Sequence, residues 1–113
     1  KATIETPVVK STKENLENAK AGETYEFTKM YPAFLKVAKK DKNEGAIDSF
    51  KDAERAEAVH AKLYKKALKD LPGWKVAAQE FYVCPECGNV EMKISGKRCP
   101  ICNTLTAQFI PVS

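Results

Sequence analysis

Four cysteines, the only ones in the 113-residue chain, stand as two matched pairs, Cys84-Pro85-Glu86-Cys87-Gly88 and Cys99-Pro100-Ile101-Cys102. Two residues between the sulfurs of a pair let one tight turn aim both at a single ion. Two such turns facing each other supply tetrahedral four-thiolate ligation. Two disulfides would use the same residues, but that solution belongs to small secreted domains, and nothing at the start of the sequence reads as an export leader. The expectation is therefore a metal centre in a reduced, cytoplasmic protein. Softness and geometry admit iron as well as zinc, so an electron-transfer centre and a structural zinc ribbon both stay open.

A second set of residues is marked by polar groups at positions where helical periodicity asks for apolar ones. One stripe runs through Leu16, Ala19, Glu23, Glu26, Met30, Phe34 and Val37, the other through Ile47, Phe50, Ala53, Glu57, His60, Tyr64, Leu68 and Leu71; the gaps of three and four define one face each. Carboxylates on such a face are costly unless a cation or a proton compensates them. Glu57 and His60 project from the same side of one helical turn. Glu-x-x-Glu facing Glu-x-x-His is a set of the kind that binds paired iron or manganese inside a four-helix bundle. The alternative is a salt-bridged helix pair in which His60 is satisfied by a neighbouring carboxylate. Glu54 lies near the stripe as a supporting group. Glu14 and Glu17 sit at a helix start, where carboxylates favour the dipole and need no metal.

These residues need two helices and a small sheet to position them. Residues 1–10 read as an extended lead-in, and Ser11 with Glu14 has the form of a capping box that starts the first helix. Pro32 must kink or locally unwind that helix. The charged run Lys39 to Gly45 turns the chain back into a second helix from about Ala46 to Leu71, which Leu71-Pro72-Gly73 stops. Trp74 to Glu80 then link to a strand at Phe81–Val83, a small strand at Val90–Ile94 and a closing strand over Phe109, Ile110 and Val112. A module of about thirty residues builds little core without its metal. Charged residues make up 30% of the chain at a net charge of only +4, and Lys36, Lys39, Lys40, Lys42, Lys62, Lys65, Lys66 and Lys69 fall mostly on exposed faces or near helix ends; the expectation is no nucleic acid. No apolar run reaches the eighteen or so residues of a membrane span.

The runs Ala21-Gly22-Glu23-Thr24-Tyr25-Glu26, Met30-Tyr31-Pro32, Ala56-Glu57-Ala58-Val59-His60-Ala61-Lys62-Leu63-Tyr64 and Val83-Cys84-Pro85-Glu86-Cys87-Gly88 closely resemble rubrerythrin, in that family's order and from about Ser11 to the end. The resemblance implies an α+β fold: half of a ferritin-like four-helix bundle, two long helices in residues 1–75, followed by a small rubredoxin-like metal-binding module of short strands in residues 76–113. It implies that Glu23, Glu26, Glu57 and His60 serve two iron ions, and that Cys84, Cys87, Cys99 and Cys102 serve one, with zinc as the alternative. The implied activity is a peroxidase that reduces hydrogen peroxide to water in protection against oxidative stress. Electrons would come from NADH through a donor such as a rubredoxin or its reductase, pass through the four-cysteine iron, and reach the di-iron pair across a subunit interface. Glu26 would change its attachment with redox state, and Tyr25 and Tyr31 would either hydrogen-bond near the site or only pack. The family's chain also carries a further helix pair, with one more glutamate and a second Glu-x-x-His. The bundle is therefore expected to need a complementary helical chain, the preferred solution because the family's ligand set is asymmetric, or a second copy of this one. Iron oxidation and storage as in ferritins, and a zinc-ribbon structural or interaction protein, are the competing readings.

Overall fold

Ser11 and Glu14 close the expected capping box: the Glu14 N–H donates to Ser11 Oγ at 3.3 Å and the Ser11 N–H to Glu14 Oε2 at 3.2 Å, which satisfies two donors that a bare helix start would leave orphaned. Helix α1 (Thr12–Tyr25) follows. The computed structural model describes residues 2–113, and residues 2–10 ahead of the cap are extended and exposed.

Pro32 acts one turn upstream of itself. Residues Glu26–Met30 form a π turn in which the Tyr31 N–H donates to the Glu26 carbonyl, five residues back. Helix α2 (Tyr31–Lys40) then begins with the proline at its second position, where the missing N–H and the ring are accommodated by the widened turn. The extra residue shifts the helical phase. A regular helix would carry Met30, Phe34 and Val37 inward; instead Leu35 and Ala38 are buried, while Phe34 and Val37 are 43% and 58% exposed.

Helix α3 (Glu44–Lys69) starts two residues earlier than the sequence suggests, because Asn43 caps it by accepting from the Ala46 N–H at 3.0 Å. Glu44 and Gly45 thus belong to its first turn, and Lys42, with φ of 53°, makes the reversal. Both α1 and α2 pack along α3. Leu35, Ala38 and Ile47 form the buried contact, with Ala46 and Phe50 against it, and the rings of Tyr31, Phe34 and Phe50 lie 5.4 to 6.1 Å apart, within the range of edge and tilted aromatic pairs.

Leu71-Pro72-Gly73 does not simply stop the chain's helical run. α3 ends at Lys69, Asp70 accepts from the Gly73 N–H, and a short helix α4 (Leu71–Val76) follows, with Pro72 in the first turn where its lack of a donor costs nothing. The linker shrinks to Ala77–Glu80, and Trp74 packs on Phe81 across it at 6.1 Å. Strand β1 (Phe81–Val83) is central in an antiparallel sheet of order β2-β1-β3, with Val83 opposite both Val90 of β2 (Val90–Glu91) and Ile110 of β3 (Ile110–Val112). β2 ends after two residues rather than reaching Ile94. Beneath it Cys84, Cys99 and Phe109 are buried, with Tyr82, Ile94 and Ile101 packed around them. The architecture is the α+β one expected: two long helices, the first interrupted, and a small three-stranded module. Among the described residues no helix is long and apolar enough to cross a membrane.

Candidate metal centres

The two cysteine turns are copies of one backbone motif. In the first, the Gly88 N–H donates to the Cys84 carbonyl (3.1 Å) and the Cys84 N–H to the Asn89 carbonyl (2.8 Å); in the second, Asn103 donates to Cys99 (3.0 Å) and Cys99 to Thr104 (2.7 Å). The residue after each second cysteine must take a left-handed conformation. Gly88 does so at φ 78° and Asn103 at φ 69°, the two residue types that tolerate it best.

These turns bring the four sulfurs within 4.8 Å of one another. Cys84 and Cys102 lie 3.5 Å apart, and Cys87 and Cys99 3.7 Å. A disulfide would need about 2.05 Å, whereas a tetrahedron with 2.3 Å metal–sulfur bonds has edges of about 3.8 Å. All four thiols are free. Burial pushes the Cys84 and Cys87 thiols up. Burial also acts on Cys102, but hydrogen bonding with Thr104, whose Oγ1 lies 3.1 Å away, and with the neighbouring sulfurs outweighs it and brings that thiol down to about 7. A thiolate at Cys102 is therefore available near neutral pH, and a cation is what would deprotonate Cys84 and Cys87. The residues fit a four-thiolate metal.

The second set gathers where α1 crosses α3. One ligand atom each from Glu23, Glu57 and His60 falls within the same 4.8 Å. His60 Nε2 lies 2.7 Å from the Gly88 carbonyl; since a carbonyl only accepts, that nitrogen carries the proton. Nδ1 is thereby turned toward Glu57 Oε2 at 3.0 Å and Glu23 Oε2 at 3.5 Å. A histidine whose far nitrogen donates to a backbone carbonyl is held in the orientation that metal ligation uses. Glu23 Oε2 is buried and has no hydrogen-bond partner among the described residues. Burial first, then Glu57 and Glu26, push the Glu23 carboxyl up to about 8. Two carboxylates, Glu23 and Glu57, thus converge on one imidazole nitrogen, with Glu26 adding to the field at Glu23, and the salt-bridge alternative leaves the buried Glu23 Oε2 without a hydrogen bond. A cation is what the donor set lacks.

Glu26 adds to the field at Glu23 from the first position of the π turn but is outside the close group of three. Tyr25 is 56% exposed, away from the cluster, while Tyr31 is half-buried, its phenol held up by burial and by Glu57, Glu26 and Glu23. Tyr64, one turn after His60, is perturbed in the same way by burial, Glu23 and Glu57; its place on the expected stripe points only to packing. Glu54 lines a groove with Ile101 and Cys102 instead of supporting the cluster.

Besides a weak contact of Lys66 Nζ with Met92 Sδ at 3.8 Å, the backbone of the module's two cysteine turns is bonded to α3 of its own chain at two points. One is the His60–Gly88 hydrogen bond, next in sequence to Cys87. The other is Arg55, which donates from Nη2 to the Pro100 carbonyl (2.8 Å) and from Nη1 to the Ile101 carbonyl (3.1 Å).

The family model described as Rubrerythrin matches residues 1–68. Nigerythrin from Nitratidesulfovibrio vulgaris is 36% identical over 102 residues, covering 90% of this chain and 50% of its own. Rubrerythrin-2 from Clostridium acetobutylicum is 33% identical over 97 residues, covering 85% and 53%. A solved structure of nigerythrin in its fully reduced, all-ferrous state superposes with a TM-score of 0.87 at 33% identity, over 98% of this chain and 54% of that one. The chain spans about half the length of the curated relatives it matches.

Proposed function

The chain belongs to the rubrerythrin family, and on that premise we propose that it forms the helix-pair and rubredoxin-like portion of a non-haem iron peroxidase that reduces hydrogen peroxide to water. Residues 1–75 supply one half of a di-iron bundle and residues 76–113 the electron-transfer module. Glu23, Glu26, Glu57 and His60 hold the iron pair; Cys84, Cys87, Cys99 and Cys102 hold the third iron. The other two helices come from outside this sequence, as a complementary helical segment or a second copy. The observation that carries the reading is the hydrogen bond between His60 Nε2 and the Gly88 carbonyl. It joins the backbone beside a cysteine of one cluster to an imidazole of the other, a connection that electron passage uses and iron storage does not need.

Iron held by Glu23, Glu26, Glu57 and His60 would supply the two electrons needed to cleave the oxygen–oxygen bond. The protein's own groups would place hydrogen-bond donors around that site. Glu23, whose carboxyl is held near 8 without a metal, would give up its proton on ligating iron. The Tyr31 and Tyr64 phenols are kept protonated by burial and by the adjacent carboxylates, so they donate hydrogen bonds to an oxygen species and do not ionise beside it. Two protons and two electrons convert one peroxide to two waters. The Gly88 carbonyl positions the imidazole through Nε2 and leaves Nδ1 toward the carboxylates and the metal they would hold.

The test is peroxide consumption by the iron-loaded assembly when electrons are fed from a reduced rubredoxin and its NADH-linked reductase. Native protein should turn over many equivalents, and Glu57→Ala should lose metal at the carboxylate site and lower turnover by about a hundredfold or more with the red four-thiolate spectrum unchanged. A colourless protein loaded with zinc as isolated, or full turnover in Glu57→Ala, would overturn the reading.

A further inference from the structure

Arg55 is an exposed residue on α3, and nothing in the chemistry above uses it. Its guanidinium nevertheless reaches 45 residues along the sequence to the carbonyls of Pro100 and Ile101, which lie between the two cysteines of the second turn. A planar fork that meets two successive carbonyls fixes orientation as well as distance. No carboxylate lies within ion-pair distance of Arg55 among the described residues, so the backbone of the cysteine turn is what it binds. Five residues on, His60 holds the first turn through Gly88. The tether, Ala77–Glu80, lies outside helix and strand and would let the module turn if only one of these points held it.

We propose that Arg55 is a positioning residue that clamps the second cysteine turn to α3 and thereby keeps the Gly88 carbonyl on His60. One turn is anchored so that the other can stay in contact with the carboxylate cluster. The proposal rests on the functional reading for its purpose, but its geometry can be tested without peroxide chemistry.

His60 is the only histidine in the chain, so its imidazole gives a single set of nitrogen resonances. The full chain loaded with zinc, which keeps both clusters diamagnetic, is compared with Arg55→Gln and Arg55→Lys. The readouts are the solvent-exchange rate of the His60 Nε2 proton and proteolysis of the 77–80 tether. In Arg55→Gln both should rise by about tenfold or more, the effect of losing two charge-assisted hydrogen bonds, while zinc content stays at the native value. Arg55→Lys, with one point charge and no fork, should fall between the two. An unchanged exchange rate in Arg55→Gln would overturn the clamp, as would native behaviour in Arg55→Lys beside a defective glutamine variant, because charge alone would then suffice. A protein that fails to reduce peroxide but shows the exchange effect would sink the functional reading and leave the clamp standing.

Discussion

Replacing Glu23 with glutamine should make the metal-free protein more stable while it destroys a metal site. In the folded chain, burial and then the neighbouring Glu57 and Glu26 lift the Glu23 carboxyl from 4.5 to about 8. A group whose pKa is raised by folding binds its proton more tightly when folded, so its contribution to stability is fully present below 4.5 and is lost as pH rises through 8. The whole shift corresponds to about 5 kcal/mol. The side chain keeps 18% of its exposure, and solvent screening reduces the expected effect to roughly 2–3 kcal/mol. Glutamine has the same outline and does not titrate. At about pH 9, Glu23→Gln with an empty carboxylate site should therefore exceed the native chain by that amount, and the difference should shrink toward zero near pH 4.5. Urea unfolding followed by far-ultraviolet circular dichroism, with the four-cysteine site loaded in both proteins, measures it, and the pairwise comparison cancels the titrating groups that do not interact with Glu23. The same variant should bind iron at the carboxylate cluster far more weakly. A difference that stays flat across this range, or a glutamine variant that is the less stable at high pH, would refute the idea that Glu23 sits in uncompensated negative charge.

Cys84→Ser should remove the four-thiolate metal and unfold the module beyond about Phe81, since its own buried core is little more than Phe109 and the cysteines; hydrogen exchange should show α1 to α3 still protected. Gly88→Ala should cost about 1–2 kcal/mol, all of it backbone strain at φ 78°, because a methyl there meets nothing within 4 Å; Asn103→Gly at the equivalent position should be neutral or slightly stabilising, and thermal unfolding of the loaded module separates the two. The chain by itself should sediment as a species larger than one copy, because Phe34 and Val37 stand exposed beside the carboxylate-bearing faces; a well-folded monomer with a loaded carboxylate site would contradict this.

The chemistry-bearing residues were legible because each sits in a short repeated pattern. Two Cys-x-x-Cys turns and the polar interruptions at Glu23, Glu57 and His60 announce themselves through local spacing, and the capping box at Ser11 is equally local. What escaped was long-range or phase-dependent. Pro32 predicts a disturbance, but whether the helix bends or takes in an extra residue depends on its packing against α3, and only the second outcome exchanges Phe34 and Val37 for Leu35 and Ala38. Arg55 left no trace because its partners are backbone carbonyls, which every residue has. Asp70 and Pro72, which together allow a new helix start, read equally well as a stop, since the same residues serve both purposes. Tyr64 sat on the expected stripe, and its hydroxyl acquires a role only once α1 brings Glu23 beside it.

Taken alone, the cysteine module has a hidden internal twofold: exchange its two turns and the pattern of backbone hydrogen bonds is unchanged. Seated on α3, that equivalence is broken, since one turn is bonded to an imidazole and the other to a guanidinium. Cys87 and Cys102, at matching positions in the two turns, have different neighbours here, the first adjacent to the His60 contact and the second to the carbonyls that Arg55 binds. Paired substitutions at these two positions should therefore differ in how they couple the metal centre to the helices.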